Sequence, residues 1–397
     1  MNNHNKIAII LPSIFPVPAT KGGAIETLIE VLVEENEKNI NGHVEFIIYS
    51  AFEKEAFIKS KTYTKTTFYW IKYDSFFYNL TNFFIRSVRK LFKIKIYNME
   101  VLLIASNIKK QDIKNIVIES NTYFLEGIAF YLKKNAPIFH VHADLFDKLN
   151  SKNVFLASLC KRIITVSDYI QKEVLLNTQI NCQKVCVLMN GIFPPSYMGI
   201  YDRRYFQLHD TDIIITFVGR ITKSKGITEL INAFKIINKE NVILLIAGSF
   251  GSKFNFGDDD ANFRKEVETL CVGIKDKVVF TGYISNKDIG DIYNLSDIVV
   301  VPSQCEDAAP LGVIEALHCG KPLIVSATGG IPEYVSEKCS FLINKGEYFV
   351  QDFSNTLIKL IEDKELRDEM SYEAKNISRN FTSKSFYNNF VNAVLDI

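Results

Sequence analysis

The stretch CEDAAPLGVIEALHCG, Cys305 to Gly320, sets Glu306 and Asp307 a short way ahead of Glu315. Pro310 suits a first helical position, and Gly320 followed by Pro322 suits a stop. A helix is therefore expected between the strands IVVVPS and PLIVSAT, with Glu306 and Asp307 in the loop that enters it. Helical side chains lean toward the N-terminus, which carries the Glu315 carboxylate over position 312. That position is glycine, leaving room for a ligand. A carboxylate there could grip a pair of ribose hydroxyls, whereas a solvated helix glutamate is the ordinary explanation of any single acid.

Other loops carry complementary chemistry. In FVGRITKSKGI, Gly219 ends a strand, Arg220 and Lys225 follow, and Gly226 enters a helix. An Arg fork, a Lys point charge and a helix dipole together can hold a diphosphate; the alternative is a solvated basic loop. In PVPATKGGAIE, Gly22 and Gly23 remove side chains where backbone could approach an anion at a helix N-terminus. The spaced GxGxxG fingerprint is absent, and a Gly-Gly pair by itself is a turn. VVFTGYIS ends a strand at Gly282, whose backbone could bond a base edge flanked by Tyr283. PIFHVHAD puts His140 and His142 on one face of a strand. As a zinc pair they have no third ligand at usable spacing. As single side chains, His142 could meet a substrate hydroxyl or developing charge, or be a hydrogen-bonded, half-buried histidine. Asp258 and Asp260 in FGDDDANF read as N-caps and dipole partners of a following helix rather than metal ligands.

The elements that must position these residues are short apolar, β-branched runs (IAIILPS, NIVIES, RIITVS, IIITFVG, VILLIAG) separated by amphipathic segments. Near-continuous apolar strands with helices between them indicate parallel sheets covered on both faces, and ligands of such sheets sit beyond the carboxyl ends of the strands. The pattern restarts after Gly191, and 397 residues exceed one typical core. Two doubly wound α/β domains are expected, joined near Asn190 to Asp202. Lys plus Arg number 46 against 45 Asp plus Glu, so no global field draws the chain to nucleic acid. Seven scattered cysteines, an odd number without paired spacings, read as buried thiols in a reducing compartment. The apolar run IAII is cut off by Pro12, Pro16 and Pro18, too early for a signal peptide or membrane span, so a cytoplasmic protein is expected. One segment breaks the alternation. Phe68 to Lys110 is aromatic and basic, with Arg86, Arg89, Lys90, Lys93 and Lys95 and no acid between Asp74 and Glu100. It suits an interfacial helix on anionic lipid, or a core-packed helix with a solvated basic edge.

In order and spacing the set resembles a retaining GT-B glycosyltransferase of the large family four, which includes capsule, exopolysaccharide and lipid-linked glycan enzymes. The resemblance runs from GGAIE to GGIPEYV and on to the C-terminal helices, nearly the whole chain. It implies two Rossmann-like domains facing across a cleft: 1–190 on the acceptor side, 191–375 binding the sugar nucleotide, and a 376–397 helix packing back on the first. It implies donor diphosphate near Gly22 and Gly23, pyrophosphate on Gly219, Arg220 and Lys225, and the base on Gly282 and Tyr283. The first-domain histidine corresponds to His142, and the paired acids to Asp307, near donor-sugar hydroxyls, and Glu315, on the ribose. Backbone near Leu311 and Gly312 would lie by the sugar and phosphate. The departure is Asp307 where the family usually has Glu, so the sugar contact falls to Asp307 or to Glu306. The resemblance implies transfer with retention from a nucleotide sugar, UDP-sugar foremost, to a glycan or polyprenyl-linked acceptor, with no metal or other cofactor. If the basic aromatic segment meets the inner leaflet, the protein lies peripherally on the inner face of the cell membrane and the acceptor is lipid-linked, such as a polyprenyl diphosphate glycan. A non-catalytic nucleotide-sugar-binding partner subunit, or a membrane-docking scaffold of a transferase complex, are the alternatives.

Overall fold

The computed structural model describes residues 6–12, 15–39, 44–133, 135–237, 239–250 and 260–396. Asp258 lies outside the described residues, and so does the side chain of Asp260, which opens a helix. The chain divides into two compact units, Met1–Gly191 with Ser383–Ile397, and Ile192–Thr382.

The first unit holds β1 (Lys6–Ile10), β2 (Glu45–Ala51), β3 (Thr66–Ile71), β4 (Asn115–Glu119), β5 (Ile138–Val141), β6 (Arg162–Thr165) and β7 (Val185–Val187). They form one parallel sheet in the order β3-β2-β1-β4-β5-β6-β7. Helices α1 (Ala24–Lys38), α2 (Lys54–Ser60), α3 (Phe76–Phe92), α4 (Met99–Lys110), α5 (Thr122–Leu132), α6 (Ser151–Ser158) and α7 (Asp168–Thr178) connect its strands. The second unit repeats the plan. Its strands are β8 (Ile213–Val218), β9 (Val242–Ala247), β10 (Val278–Gly282), β11 (Ile298–Val301), β12 (Leu323–Ser326) and β13 (Ser340–Ile343), in the parallel order β10-β9-β8-β11-β12-β13. Its helices are α8 (Ile227–Ile236), α9 (Asp260–Leu270), α10 (Ile289–Leu295), α11 (Leu311–His318), α12 (Phe349–Glu362) and α13 (Lys364–Ser378); a last helix, α14 (Ser383–Leu395), belongs to the first unit. Two doubly wound α/β domains, the fold expected, are therefore what the chain adopts. In each sheet the order reverses beside the first strand, between β1 and β4 and between β8 and β11, which is where ligands of such sheets bind.

The apolar runs become central strands because both faces are covered: Ile7, Ile9 and Ile10 of β1 and Val300 of β11 are fully buried. In the second unit Phe353, Leu357 and Leu360 line one stripe of α12 and are buried in the core it shares with α8 and the sheet, where its neighbouring strands are β12 and β13. Each such side chain contributes roughly 1.5–3 kcal/mol by leaving water. After the crossover at Ile192 the chain is clamped by Asp291, a fully buried carboxylate. It accepts backbone N–H bonds from Met198, Gly199, Ile200 and Tyr201 at 2.6, 3.0, 2.7 and 3.1 Å. The return to the first unit falls at 382/383 rather than 375/376. The reason is that α13 runs unbroken to Ser378 with Met370 and Ala374 buried, and Phe381 then stacks on Tyr334 at 5.0 Å.

Helix α3 differs from the rest. Only Asn82 is buried, while Phe76, Phe77, Phe83, Phe84, Leu91 and Phe92 are exposed by 58–77%. It is not the core-packed helix that was one of two expectations. No helix of the described residues is long and apolar enough to cross a membrane.

Candidate functional site

In the second unit a glycine sets the geometry. Gly226, with φ 73°, ends the turn after β8 and caps α8; a Cβ there would lie 1.8 Å from the Pro302 carbonyl oxygen at the end of β11. That close approach lets the Ser224 carbonyl accept from the Gln304 and Cys305 N–H groups at 2.8 and 3.2 Å, stitching the two loops together. The stitch delivers Lys225 Nζ to Asp307 Oδ1 at 2.5 Å, and the Ser303 hydroxyl bonds the other Asp307 oxygen. Arg220, exposed one residue beyond Gly219, makes no ion pair with another described residue. The orphan N–H groups that open α8 and α11 face the same carboxyl edge. The edge thus offers two cations and two helix N-termini.

Glu306 takes no part in that pair. One of its oxygens accepts the Gly329 N–H at 2.6 Å and the other pairs with Lys345, while the Asp307 carbonyl accepts from Gly330 N–H at 2.7 Å. Glu315 lies one turn into α11, which starts at Leu311 with Pro310 as its cap rather than its first residue. Its carboxylate accepts the Tyr293 hydroxyl at 2.8 Å. Burial raises the Glu315 carboxyl, and that hydrogen bond works against the rise. The surface over Gly312 is not empty as expected. A Cβ there would meet the Tyr293 hydroxyl at 3.4 Å, an ordinary contact, so Tyr293 stands where open space was anticipated. Gly282, φ 73°, ends β10 with its carbonyl accepting from Gly248 N–H at 3.0 Å, beside an exposed Tyr283.

In the first unit Gly22 and Gly23 adopt φ 78° and 100° between β1 and α1. The space above Gly23 belongs to a neighbour: a Cβ there would lie 2.1 Å from Glu26 Oε2. Glu26 is buried. Desolvation lifts its carboxyl to about 7, its own backbone N–H opposes the rise, and the Glu119 charge adds to it. At the ends of β4 and β5, the register Glu119↔His140 gathers three side chains. Glu119 Oε2 is 3.0 Å from His140 Nδ1 and 2.7 Å from His142 Nε2, and the two nitrogens are 3.1 Å apart. Burial alone would raise the Glu119 carboxyl, but the two histidines outweigh it and hold it at about 2. Burial, then His140, push His142 down to about 4 against the pull of Glu119. The third metal-ligand type that spacing did not supply is present in Glu119. The mutual separations are nonetheless those of direct hydrogen bonds, shorter than the roughly 3.3 Å between donors around a tetrahedral ion with bonds of about 2.0–2.1 Å.

Of the basic residues near α3, Arg86, Lys90 and Lys93 are exposed and Arg89 is half-buried. Lys95 stands apart from them: it pairs with Glu126 at 2.7 Å and lies 5.7 Å over the rings of Tyr97, Phe130 and Phe155. Residues that sequence reasoning missed are Glu119, Tyr293, Ser303, Gly329 and Lys345. Gly329 opens GGIPEYV and the others belong to no motif; they reach the site through sheet register, loop contact or, for Tyr293, the hydroxyl of a buried helical side chain.

Residues 202–377 match the family Glycosyl transferases group 1. Among curated proteins, the chain is 35% identical over 189 residues to the uncharacterized glycosyltransferase MJ1607 of Methanocaldococcus jannaschii, covering 45% of each. It is 28% identical over 247 residues to the capsular polysaccharide biosynthesis glycosyltransferase CapM of Staphylococcus aureus, covering 58% of this chain and 62% of the relative. The matches therefore span about half to three fifths of these relatives' length. The structure of Anabaena Alr3699/HepE in complex with UDP-glucose superposes with a TM-score of 0.75 at 16% identity, covering 98% of this chain and 100% of that one. The fold is that of GT-B glycosyltransferases.

Proposed function

We propose that this chain transfers a sugar from a nucleotide-sugar donor, UDP-sugar foremost, to a lipid-linked or glycan acceptor with retention of configuration, in bacterial surface polysaccharide synthesis. The observation that carries the reading is the carboxyl edge of the second sheet. There two cations, two helix N-termini and the Tyr293–Glu315 pair lie within the region matched by the glycosyltransferase family. UDP and UDP-glucose in the complexes of the Anabaena protein support the donor class.

On this reading Glu315 receives the ribose hydroxyls, steadied by Tyr293, and Gly282 and Tyr283 receive the base. Arg220, Lys225 and the start of α8 stabilise the charge that grows on the leaving diphosphate as the sugar–phosphate bond loosens. These groups supply the positive charge themselves, so the reaction as written calls for no metal. Diphosphate arrival gives Lys225 a second anionic partner and frees Asp307, the acid in register with Glu315, for a donor-sugar hydroxyl. Glu306, tied to Gly329 and Lys345, braces the loop instead. A donor phosphate oxygen takes the acceptor proton on the face the diphosphate leaves, which gives retention.

The acceptor class follows from α3. An exposed row of Phe and Leu beside Arg86, Lys90 and Lys93 is suited to anionic lipid, which favours a polyprenyl-linked acceptor and a peripheral membrane location. A screen of sugar nucleotides by thermal shift, followed by NMR assignment of the anomeric configuration of the product, tests the proposal. No stabilisation by any nucleotide sugar, or an inverted product, would overturn it.

A further inference from the structure

Glu119 ends β4 fully buried, and one of its carboxylate oxygens receives both histidines of PIFHVHAD. An ionised carboxylate only accepts hydrogen bonds, so His142, at 2.7 Å, must turn its Nε2–H toward it; His140 Nδ1 lies 3.0 Å from the same oxygen and 3.1 Å from His142 Nε2. A neutral imidazole carries one N–H. His142 is therefore left with a lone pair on Nδ1, which has no hydrogen-bond partner among the described residues. Its ring is also the more accessible of the two, with 7% side-chain exposure against none for His140. The backbone is fixed as well. Ser120 Oγ accepts the His142 N–H at 2.7 Å and donates to the His140 carbonyl at 3.2 Å.

We infer that Glu119 is a positioning residue: it holds His142 in the Nε2–H tautomer, so that Nδ1 meets a substrate hydroxyl as a hydrogen-bond acceptor. His140 shares the same oxygen and keeps the carboxylate from turning. The hydroxyl is that of a sugar only on the transferase reading, on which this part rests; the tautomer is independent of it. An acceptor nitrogen at this place discriminates against a deoxy substrate, which would leave it unpaired.

The tautomer is read directly from long-range 1H–15N correlations of the ring nitrogens at pH 7. Wild type should show a bare Nδ1 and protonated Nε2 at His142, and H140F should leave that pattern in place. Glu119→Gln keeps one oxygen but removes the charge that draws the ring N–H groups, and it puts an NH2 donor where the second carboxylate oxygen has no partner, so the hold on the Nε2–H form of His142 weakens. In transfer assays E119Q should lower kcat about 10–100-fold with donor KM within about threefold. In an H142A background it should change nothing further. A protonated Nδ1 at His142 in wild type would overturn the inference, and so would equal losses from E119Q in both backgrounds. One equivalent of tightly held divalent metal, found by elemental analysis with both histidines ligating, would overturn it too. If wild type transfers no sugar while the spectrum shows Nε2–H, the transferase reading falls and the Glu119–His142 lock stands.

Discussion

Replacing Glu26 by Gln should stabilise the first unit above neutral pH and leave it unchanged in acid. The carboxyl is 4% exposed under the Gly22–Gly23 loop and is lifted from 4.5 to about 7. One pKa unit is about 1.4 kcal/mol, so the full shift corresponds to roughly 3 kcal/mol. The sign follows from proton binding: the folded state keeps the proton that the unfolded state loses above pH 4.5. Stability from this group is therefore complete below that pH, declines through the window up to about 7, and is flat beyond. Gln carries the shape of the protonated acid and never ionises. Between pH 5 and 8 the advantage of E26Q over wild type should grow by about 2–3 kcal/mol, which is roughly 5–10 °C in Tm for a unit of this size. Differential scanning calorimetry of both proteins across that range reads the difference. A Tm gap that stays constant with pH, or E26Q melting below wild type at pH 8, would refute the placement of a costly buried carboxylate at the head of α1.

Arg220→Ala and Lys225→Ala should each slow transfer by about 100-fold, near 3 kcal/mol of lost charge stabilisation, and near-normal turnover in both would remove the diphosphate assignment. Tyr293→Phe deprives Glu315 of the hydrogen bond that opposes its raised carboxyl. Titration calorimetry with UDP should show affinity down about tenfold, with a larger deficit at pH 6 than at pH 8, because less of Glu315 is ionised in acid. Reversing charge at Arg86, Arg89 and Lys90 should cut partition onto vesicles of anionic lipid by at least about 100-fold, at about 1 kcal/mol per residue, while transfer to a water-soluble acceptor stays intact. Binding unaffected by the reversal or by salt would count against membrane docking through α3.

Much of the scaffold was legible because parallel strands buried on both faces must be apolar throughout, and IAII, NIVIE and VILLIA have no other stable home. Loop positions followed, since each candidate sits where such a run ends. What stayed hidden depended on pairings between distant segments. Glu119 closes an ordinary strand, and only its register opposite His140 makes it the partner of two histidines. Tyr293 reads as a core aromatic of α10 and is one, being fully buried; its hydroxyl alone reaches Glu315. Counting from Glu315 does not separate Glu306 from Asp307; their partners do, Lys225 on Asp307 and Gly329 with Lys345 on Glu306.

The discontinuity of the first unit bears on how the chain is made. Its groove along α1 and β2 is filled by α14: Ser383 bonds Glu35 at 3.0 Å, Tyr387 bonds the buried Asn36 at 2.8 Å, and Tyr387 and Phe390 pack edge-on against Phe46 at 6.4 Å. The second unit is one uninterrupted stretch and can close once Thr382 has left the ribosome, whereas the first, although synthesised earlier, must wait for the last helix. Vectorial synthesis thus runs opposite to completion, leaving a nascent chain with Phe46 and its neighbours uncovered throughout translation of the second unit. A premature stop in the closing residues would spare the glycosyltransferase-like unit and leave the histidine-bearing one unsealed.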